Sequence, residues 1–143
     1  MKKLFLLVLL VSFQGIFAQK AEVQKSIETF FKGFHARDTV TIKSVCAEKI
    51  IMQSISESEK GKKFRNEEPS SFMKMIATIP LEEKFEERIL SYNVQIDGSM
   101  AHVWTPYEFY IDGKFSHRGV NSFQVFKEKD IWKIIYVVDT RRK

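Results

Sequence analysis

The sequence predicts a single domain of the α+β class, in which helices come first and an antiparallel sheet follows. In the first part of the chain, apolar residues recur at spacings of three and four, as in an amphipathic helix. In the last third, apolar runs are separated by Asp97-Gly98 and Asp112-Gly113. An Asp-Gly pair between apolar runs predicts a tight hairpin, because a type I′ turn needs positive φ at both central residues. The length of 143 residues fits one domain.

The N-terminus has the pattern of a secretory signal peptide. Residues 4–18 carry no charge, follow Lys2 and Lys3, and end at the small residue Ala18. The run is too short for a typical membrane-spanning helix, although a retained N-terminal anchor stays an alternative. We therefore expect a signal peptide over residues 1–18, a single domain over residues 19–143, and an exported protein that is periplasmic or secreted. Removal of both lysines lowers the net charge of +5 by two.

The first half of this domain is predicted to be mainly helical. A helix over residues 21–36 presents one apolar stripe, and Asp38 ends it and caps a short second helix. A third helix runs from Glu67 or Pro69 to Thr78, because proline suits the first turn of a helix. Residues 50–55 are typical of a short strand, and residues 56–65 of a polar loop. The stripe consists of Val23, Ile27, Phe30, Phe31 and Phe34, and the second helix carries Val40, Ile42, Val45 and Cys46.

The last third is predicted to form four successive antiparallel strands. The first two cover residues 89–96 and 100–111, and the last two are separated by residues 127–130. If Asp112 and Gly113 form the turn, Glu108 faces His117 and Trp104 faces Asn121. A four-residue turn at 127–130 then places Tyr136 beside Asn121. It also places Arg118 opposite Asp139 on the other face, unless a bulge intervenes.

This register predicts a sheet face that carries both aromatic and polar side chains. Apolar walls with a few polar groups are typical of small-molecule pockets. Glu108 beside His117 could also act as a general-base pair, because a carboxylate fixes the imidazole tautomer and raises its basicity. The alternative is a structural cross-strand pair that contributes a few tenths of a kcal/mol. The aromatic members are Trp104, Tyr110, Phe115, Phe123 and Tyr136, and the polar members are Glu108, His117 and Asn121.

Three segments carry a resemblance to a known group of proteins. They are Trp104-Thr-Pro-Tyr-Glu-Phe-Tyr-Ile-Asp-Gly-Lys, His117-Arg-Gly-Val-Asn-Ser-Phe, and Trp132-Lys-Ile-Ile with the terminal Asp139-Thr-Arg-Arg. Together with the order of the elements, they resemble the nuclear transport factor 2-like (SnoaL-like) superfamily, and most closely its exported bacterial proteins grouped as lumazine-binding. The resemblance implies a cone-shaped α+β barrel, with a curved sheet around the first helix, an open cavity and frequent homodimers.

The resemblance does not decide the function, because this superfamily includes several unrelated enzymes and many members without chemistry. Our leading interpretation is an exported domain that binds a small hydrophobic or aromatic molecule and needs no cofactor. One alternative is a cofactor-independent lyase, isomerase or hydrolase that uses Glu108 and His117. Another is a non-catalytic accessory protein whose cone is filled by its own side chains. Asp38, Arg118, Asp139 and Arg141 are candidates for the rim of the cavity.

Other kinds of site are disfavoured by the sequence. The three histidines are far apart and no Cys pair is present, so no metal is expected. Nucleic acid is not an expected partner, because acidic residues flank the basic cluster at residues 60–65. That cluster is interpreted as a solvated loop, or as a lid whose Lys62, Lys63 or Arg65 attracts an anionic ligand. The single Cys46 is expected to be a buried, inert thiol.

Overall fold

The structure is a computed structural model that describes residues 2–143, with side chains from residue 17 onward. The predicted signal peptide lies largely outside the residues whose side chains are described and stays a prediction. No helix among the described residues is both long enough and apolar enough to cross a membrane. The elements are α1 Lys2–Ala36, α2 Thr39–Ser44, β1 Cys46–Ser58, β2 Gly61–Glu67, α3 Pro69–Thr78, β3 Phe85–Ile89, β4 Asn93–Asp97, β5 Met100–Ile111, β6 Lys114–Glu128 and β7 Ile131–Arg142.

The seven strands form one curved, open sheet, with the helices packed on its concave side. The strand order is β2-β1-β7-β6-β5-β3, and β4 pairs with the same edge of β5 as β3 does. Strands β4 to β7 are the four successive antiparallel strands that the sequence predicts. The parallel pairing of β1 with β7 was not predicted, because the two strands are separated by most of the domain. The predicted α+β class is confirmed.

The apolar stripe of α1 packs against the concave face of the sheet, as predicted. Its five side chains are all buried, and Phe31 and Phe30 make edge-on ring contacts with Phe123 of β6 at 5.9 and 5.8 Å. Asp38 caps α2, because its carboxylate accepts hydrogen bonds from the backbone N–H groups of Val40 and Thr41. The third helix begins at Pro69 and ends at Thr78, within the predicted bounds.

Two predictions near α2 and β1 are wrong in detail. Val45 and Cys46 do not belong to the second helix, because α2 ends at Ser44 and Cys46 begins β1. The thiol is buried, and burial raises its pKa to about 12, as expected for an inert thiol. The predicted polar loop at residues 56–65 is a hairpin of β1 and β2 instead. Strand β2 forms an exposed edge of the sheet, where charged residues replace the apolar alternation that identifies other strands.

The predicted strand at residues 89–96 is wrong in its bounds: β3 ends at Ile89, residues 90–92 belong to no strand, and β4 begins at Asn93. The break lies beside Pro106 in the middle of β5. Proline has no N–H group, so the ladder cannot continue across this position. The backbone N–H of Leu90 still donates to the carbonyl of Pro106 at 2.9 Å. Strand β3 therefore pairs with residues 107–111 of β5, and β4 pairs with residues 100–104.

The turns of the meander explain its register. Asp112 and Gly113 form the predicted turn, with φ of 49° and 73°. In the preceding hairpin Asp97 pairs with Met100, so the turn residues are Gly98 and Ser99 and not Asp97 and Gly98. The last hairpin turns at residues 129–130, with φ of 47° and 66°, and not over the predicted four residues at 127–130.

Candidate functional site

A cavity of about 270 Å³ lies between the concave face of the sheet and the helices α1 and α3. Its wall is dominated by phenylalanine rings. The ring centroids of Phe34 and Phe85 are 5.1 Å apart, and those of Phe34 and Phe72 are 6.3 Å apart in a stacked arrangement. The cavity therefore offers flat, apolar surfaces to a ligand. The rings come from Phe30, Phe31 and Phe34 of α1, Phe72 of α3, Phe85 of β3, Phe109 of β5 and Phe123 of β6.

Polar side chains from β3, β6 and β7 meet in one part of this wall. Asn121 pairs directly with Asp139 across β6 and β7, so both side chains face the cavity. The Asn121 amide donates a hydrogen bond to Glu87 Oε1 at 2.7 Å. Arg141 Nε donates to Asp139 Oδ2 at 2.7 Å and holds that carboxylate in place. The sheet thus brings Glu87 and Asn121 together, although they are 34 residues apart in sequence.

Glu87 has the most perturbed carboxyl group of the cavity. Burial raises its pKa from 4.5 to about 7, and the negative charge of Asp139 acts in the same direction. The hydrogen bond from Asn121 and the positive charge of Arg141 oppose this shift only in part. The carboxyl group can therefore either donate or accept a proton near neutral pH, which suits a ligand-binding or general acid–base group.

His117 lies near the polar side chains of Asp139 and Arg141, and its ring packs against aromatic side chains. The ring stacks on Phe109 at 4.8 Å and meets Tyr107 edge-on at 5.9 Å. Its Nδ1 pairs with Ser116 Oγ at 3.1 Å. Burial lowers the pKa of His117, and the nearby Arg141 lowers it further, while Asp139 raises it. The imidazole is therefore neutral at neutral pH and available for a hydrogen bond with a ligand.

Tyr107 and His35 position the site without offering a free polar atom to it. The Tyr107 hydroxyl donates to the carbonyl of Thr140 at 2.8 Å, and burial strongly raises the pKa of this phenol. His35 Nε2 accepts a hydrogen bond from the backbone N–H of Glu87 at 2.9 Å, so the proton of the neutral imidazole is on Nδ1. This bond connects α1 to β3 and fixes the backbone that carries Glu87.

Arg37 holds the segment at the mouth of the cavity. Its guanidinium donates to the carbonyls of Ile79, Pro80 and Glu83, at 3.1 Å for Ile79 and 3.0 Å for Pro80. It also lies 5.0 Å from the centre of the Phe85 ring, within cation–π distance. Ile79 and Glu83 line the cavity, so these bonds set the shape of its entrance.

The predicted Glu108–His117 pair is wrong, because a bulge shifts the register between β5 and β6. The hairpin begins as predicted, with Tyr110 opposite Phe115, but the register changes between Tyr110 and Phe109. His117 is then opposite Phe109 and faces the cavity, whereas Glu108 is opposite Arg118 on the convex face. One additional residue in a strand moves its partners to the other face. The Glu108 carboxylate accepts a hydrogen bond from the Tyr110 hydroxyl at 2.7 Å.

This bulge, together with a second register shift between β6 and β7 at Gln124/Val125, separates the other predicted lining residues into two groups. Asn121 and Phe123 line the cavity, as do the expected rim residues Asp139 and Arg141. The predicted pairings of Tyr136 with Asn121 and of Arg118 with Asp139 are wrong, since Tyr136 pairs with Gln124. Arg118 pairs with Arg142, and Asp38 caps α2. The convex face or its edge carries Trp104, Tyr110, Phe115 and Tyr136.

Glu87, Phe85 and Phe109 were missed by the sequence analysis. The pattern Phe85-Glu-Glu87-Arg-Ile89 would have identified β3, since it places a carboxylate between two apolar residues on one face. Among the described residues, no group of three or more His, Cys, Asp or Glu side chains could hold a metal ion.

The helices on the concave side of a curved sheet, together with the cavity between them, define the nuclear transport factor 2-like (NTF2-like) fold. A solved NTF2-like protein with a cystatin-like fold from Novosphingobium aromaticivorans superimposes with a TM-score of 0.72, at 10% identity, over 92% of this chain and 87% of its own. An NTF2-like protein of unknown function from Pseudomonas putida gives 0.68 at 12% identity, over 86% of each chain. One from Silicibacter pomeroyi, also of unknown function, gives 0.61 at 18% identity, over 85% of this chain and 94% of its own.

These similarities concern the fold, because all three identities are low. No protein-family model matches the sequence, and no curated protein matches it either. The comparisons therefore support the NTF2-like fold, and membership of the lumazine-binding branch stays a prediction.

Proposed function

We propose that this protein is exported and binds a small apolar or aromatic molecule in its cavity. The observation that carries this proposal is a cavity with phenylalanine walls and one polar group of side chains, the composition expected of a small-molecule site. A cavity of about 270 Å³ has room for a compact ring system. It also disfavours an accessory protein with a filled cone. The proposal of export rests on the N-terminal sequence pattern.

The polar side chains give this ligand an orientation. Glu87, His117 and Asn121 line one part of the cavity, and the rest of its wall is mainly aromatic. A ligand with a hydrogen-bonding edge on a flat apolar body satisfies both parts. A wholly apolar ligand would leave the Glu87 carboxyl group without a partner beyond Asn121, which is unfavourable in a desolvated site.

We predict that Ile79→Trp abolishes ligand binding, because the indole would fill the mouth of the cavity. Native mass spectrometry of wild-type protein from the periplasm of its host should show a bound small molecule on residues 19–143. The variant should lose it. Ile131→Trp is the matched control, since Ile131 is exposed and away from the cavity. Repeated recovery of wild-type protein without any small molecule would contradict the proposal.

A second candidate function is cofactor-independent proton transfer by Glu87. The favouring observation is a carboxyl group with a pKa of about 7 in an apolar cavity, beside a neutral His117. Glu87 would take the place that the sequence analysis gave to Glu108. The reaction would be of the kind that the sequence analysis considered for Glu108 and His117, namely an isomerisation, an elimination by a lyase or a hydrolysis.

The compound recovered from the wild-type protein separates binding from catalysis. If the protein is an enzyme, wild type converts this compound and Glu87→Gln does not. Glu86→Gln still converts it, because Glu86 is exposed on the other face of β3. If the protein only binds, wild type leaves the compound unchanged and Glu87→Gln alters its affinity.

A further inference from the structure

The β1–β2 hairpin extends the concave face of the sheet beyond the cavity. Ser54 pairs with Arg65 on one side and with Asp139 on the other. Ser56 lies in the same way between Lys63 and Arg141. Directly paired residues on neighbouring strands point to the same face of a sheet. Lys63 and Arg65 therefore stand on the face that carries the cavity. We call Lys63, Arg65 and Arg141, with Ser54 and Ser56 between them, the basic shelf.

The cations of the basic shelf have unused hydrogen-bonding capacity. Arg141 uses its Nε atom for Asp139, and its two Nη groups make no hydrogen bond within the described part of the chain. Lys63 and Arg65 make no ion pair there either. By contrast, Lys62 on the other face of β2 lies 3.7 Å from Glu57. The shelf thus presents unpaired donors to an anion on the cavity face.

The shape of the shelf also suits an anion. Neighbouring strands are about 4.8 Å apart, so Lys63 and Arg65 lie on the order of 10 Å from β7, with only the short serine side chains between them. The acids beside the shelf are Asp139, which Arg141 holds, and Glu67, whose charge also acts on Arg141. Glu87 is a third acid on this face; it lies in the cavity, and burial raises its pKa to about 7. The three cations of the shelf therefore face two carboxylates and one carboxyl group that is only partly ionised at neutral pH. A small negatively charged group fits over the serines, between Lys63 and Arg65 of β2 and Arg141 of β7.

The shelf is continuous with the cavity, because Asp139 and Arg141 line the cavity as well. We propose that the ligand is an amphipathic anion whose apolar body occupies the cavity and whose carboxylate, sulfonate or phosphate group binds the basic shelf. This inference rests on the proposed binding function and specifies the class of the ligand. The planar guanidinium groups of Arg65 and Arg141 can each bind two oxygens of such a group, and Lys63 adds a mobile charge.

Two fluorescent probes of nearly the same shape test this inference. Phenyl-naphthylamine is uncharged, and anilinonaphthalene sulfonate has the same ring system with one sulfonate group. Both probes fluoresce on entering an apolar site, so one titration reports on the cavity and the other on the cavity with the shelf. We expect the wild-type protein to bind the sulfonate at least threefold more tightly, with a preference that added salt reduces.

The variant Lys63→Ala/Arg65→Ala should weaken sulfonate binding by about three- to tenfold, because exposed ion pairs are modest individually. Its affinity for the uncharged probe should not change. Lys60→Ala/Lys62→Ala is the matched control, since it removes the same charge from the turn and the other face of the hairpin. This control should retain the preference for the sulfonate.

Each result has a distinct meaning. If the uncharged probe binds as tightly as the sulfonate, or if both double variants weaken the sulfonate equally, the basic shelf is overturned and the binding function stands. If neither probe binds the folded wild-type protein, the binding function fails and the inference about its ligand fails with it. Circular dichroism of each variant shows that the fold is retained.

Discussion

Gly119→Ala is expected to lower the free energy of unfolding by about 3 kcal/mol or more, among the largest effects of a single methyl group in this protein. A Cβ atom at Gly119 would lie 1.7 Å from the carbonyl oxygen of Thr140 and 2.9 Å from the hydroxyl of Tyr107. The first of these is a backbone atom, so no side-chain rotation relieves the clash. Strands β6 and β7 would have to separate at this point.

The same substitution should also disturb the site. Thr140 lies between Asp139 and Arg141, and its carbonyl accepts the hydrogen bond from Tyr107 that connects β5 to β7. Displacement of Thr140 would therefore move both charged cavity residues. We expect weaker probe binding in any Gly119→Ala protein that folds.

Urea denaturation measures this prediction, with Gly113→Ala as the control. Gly113 has a φ of 73° and no atom within 4 Å of its added Cβ, so its substitution tests backbone strain alone. That strain should cost about 1 kcal/mol. The close contact at Gly119 is refuted if Gly119→Ala is no less stable than Gly113→Ala.

Glu87→Gln is expected to stabilise the protein above pH 7, by up to roughly 3 kcal/mol, because it removes a carboxyl group that burial disfavours in its charged form. The pKa of Glu87 is raised from 4.5 to about 7 in the folded protein. Glutamine is of similar shape and can still accept the hydrogen bond from Asn121. If Glu87 serves the proposed function, its cost in stability is an example of the trade-off between stability and function.

The sign of the pH dependence follows from proton binding. Below about pH 4.5 the carboxyl group is protonated in both states, so it contributes no difference. Between about pH 4.5 and 7 the unfolded chain releases this proton while the folded protein retains it, so stability falls as the pH rises. Above about pH 7 both states are ionised and the loss is complete. The stability of wild type relative to Glu87→Gln should therefore decline across this window and then become constant.

The effect of Glu87 is measured by the difference in unfolding free energy between wild type and Glu87→Gln, and not by the pH dependence of wild type alone. Burial lowers the pKa values of His35 and His117, and this stabilises the protein as the pH rises toward 6.5, opposite to the effect of Glu87. Both histidines are present in wild type and in the variant, so their effect cancels. Glu86→Gln is the control and should give only a small decline, because the pKa of exposed Glu86 is lowered by Arg88 and its charge acts in this window only by raising the pKa of His35. A decline for Glu87→Gln no larger than that for Glu86→Gln would mean that Glu87 is not desolvated.

Much of the fold was predictable because its signals are local. The stripe on α1, the Asp38 cap, the bounds of α3 and the Asp112-Gly113 turn each depend on residues within a few positions of one another. The hairpin of β1 and β2 was missed because an exposed edge strand carries charges and lacks the apolar alternation of a half-buried strand.

The candidate site was predictable only in part. His117, Asn121 and Phe123 were placed on the cavity face, but their supposed partners Glu108 and Trp104 are on the other side. A bulge near Ser116 causes this difference. Sheet faces alternate with a period of two, so a single additional residue reverses every later assignment along the pair of strands.

The sequence by itself determined the α+β class, the amphipathic first helix and the four-stranded meander. Only the tertiary structure decided that Glu87 of β3 meets Asn121 of β6, and that Arg141 of β7 shares a face with Lys63 and Arg65 of β2. The physical reason is that periodicity and turn chemistry act over a few residues. Register across a sheet, and the desolvation that raises the pKa of Glu87, arise only when distant strands are packed together.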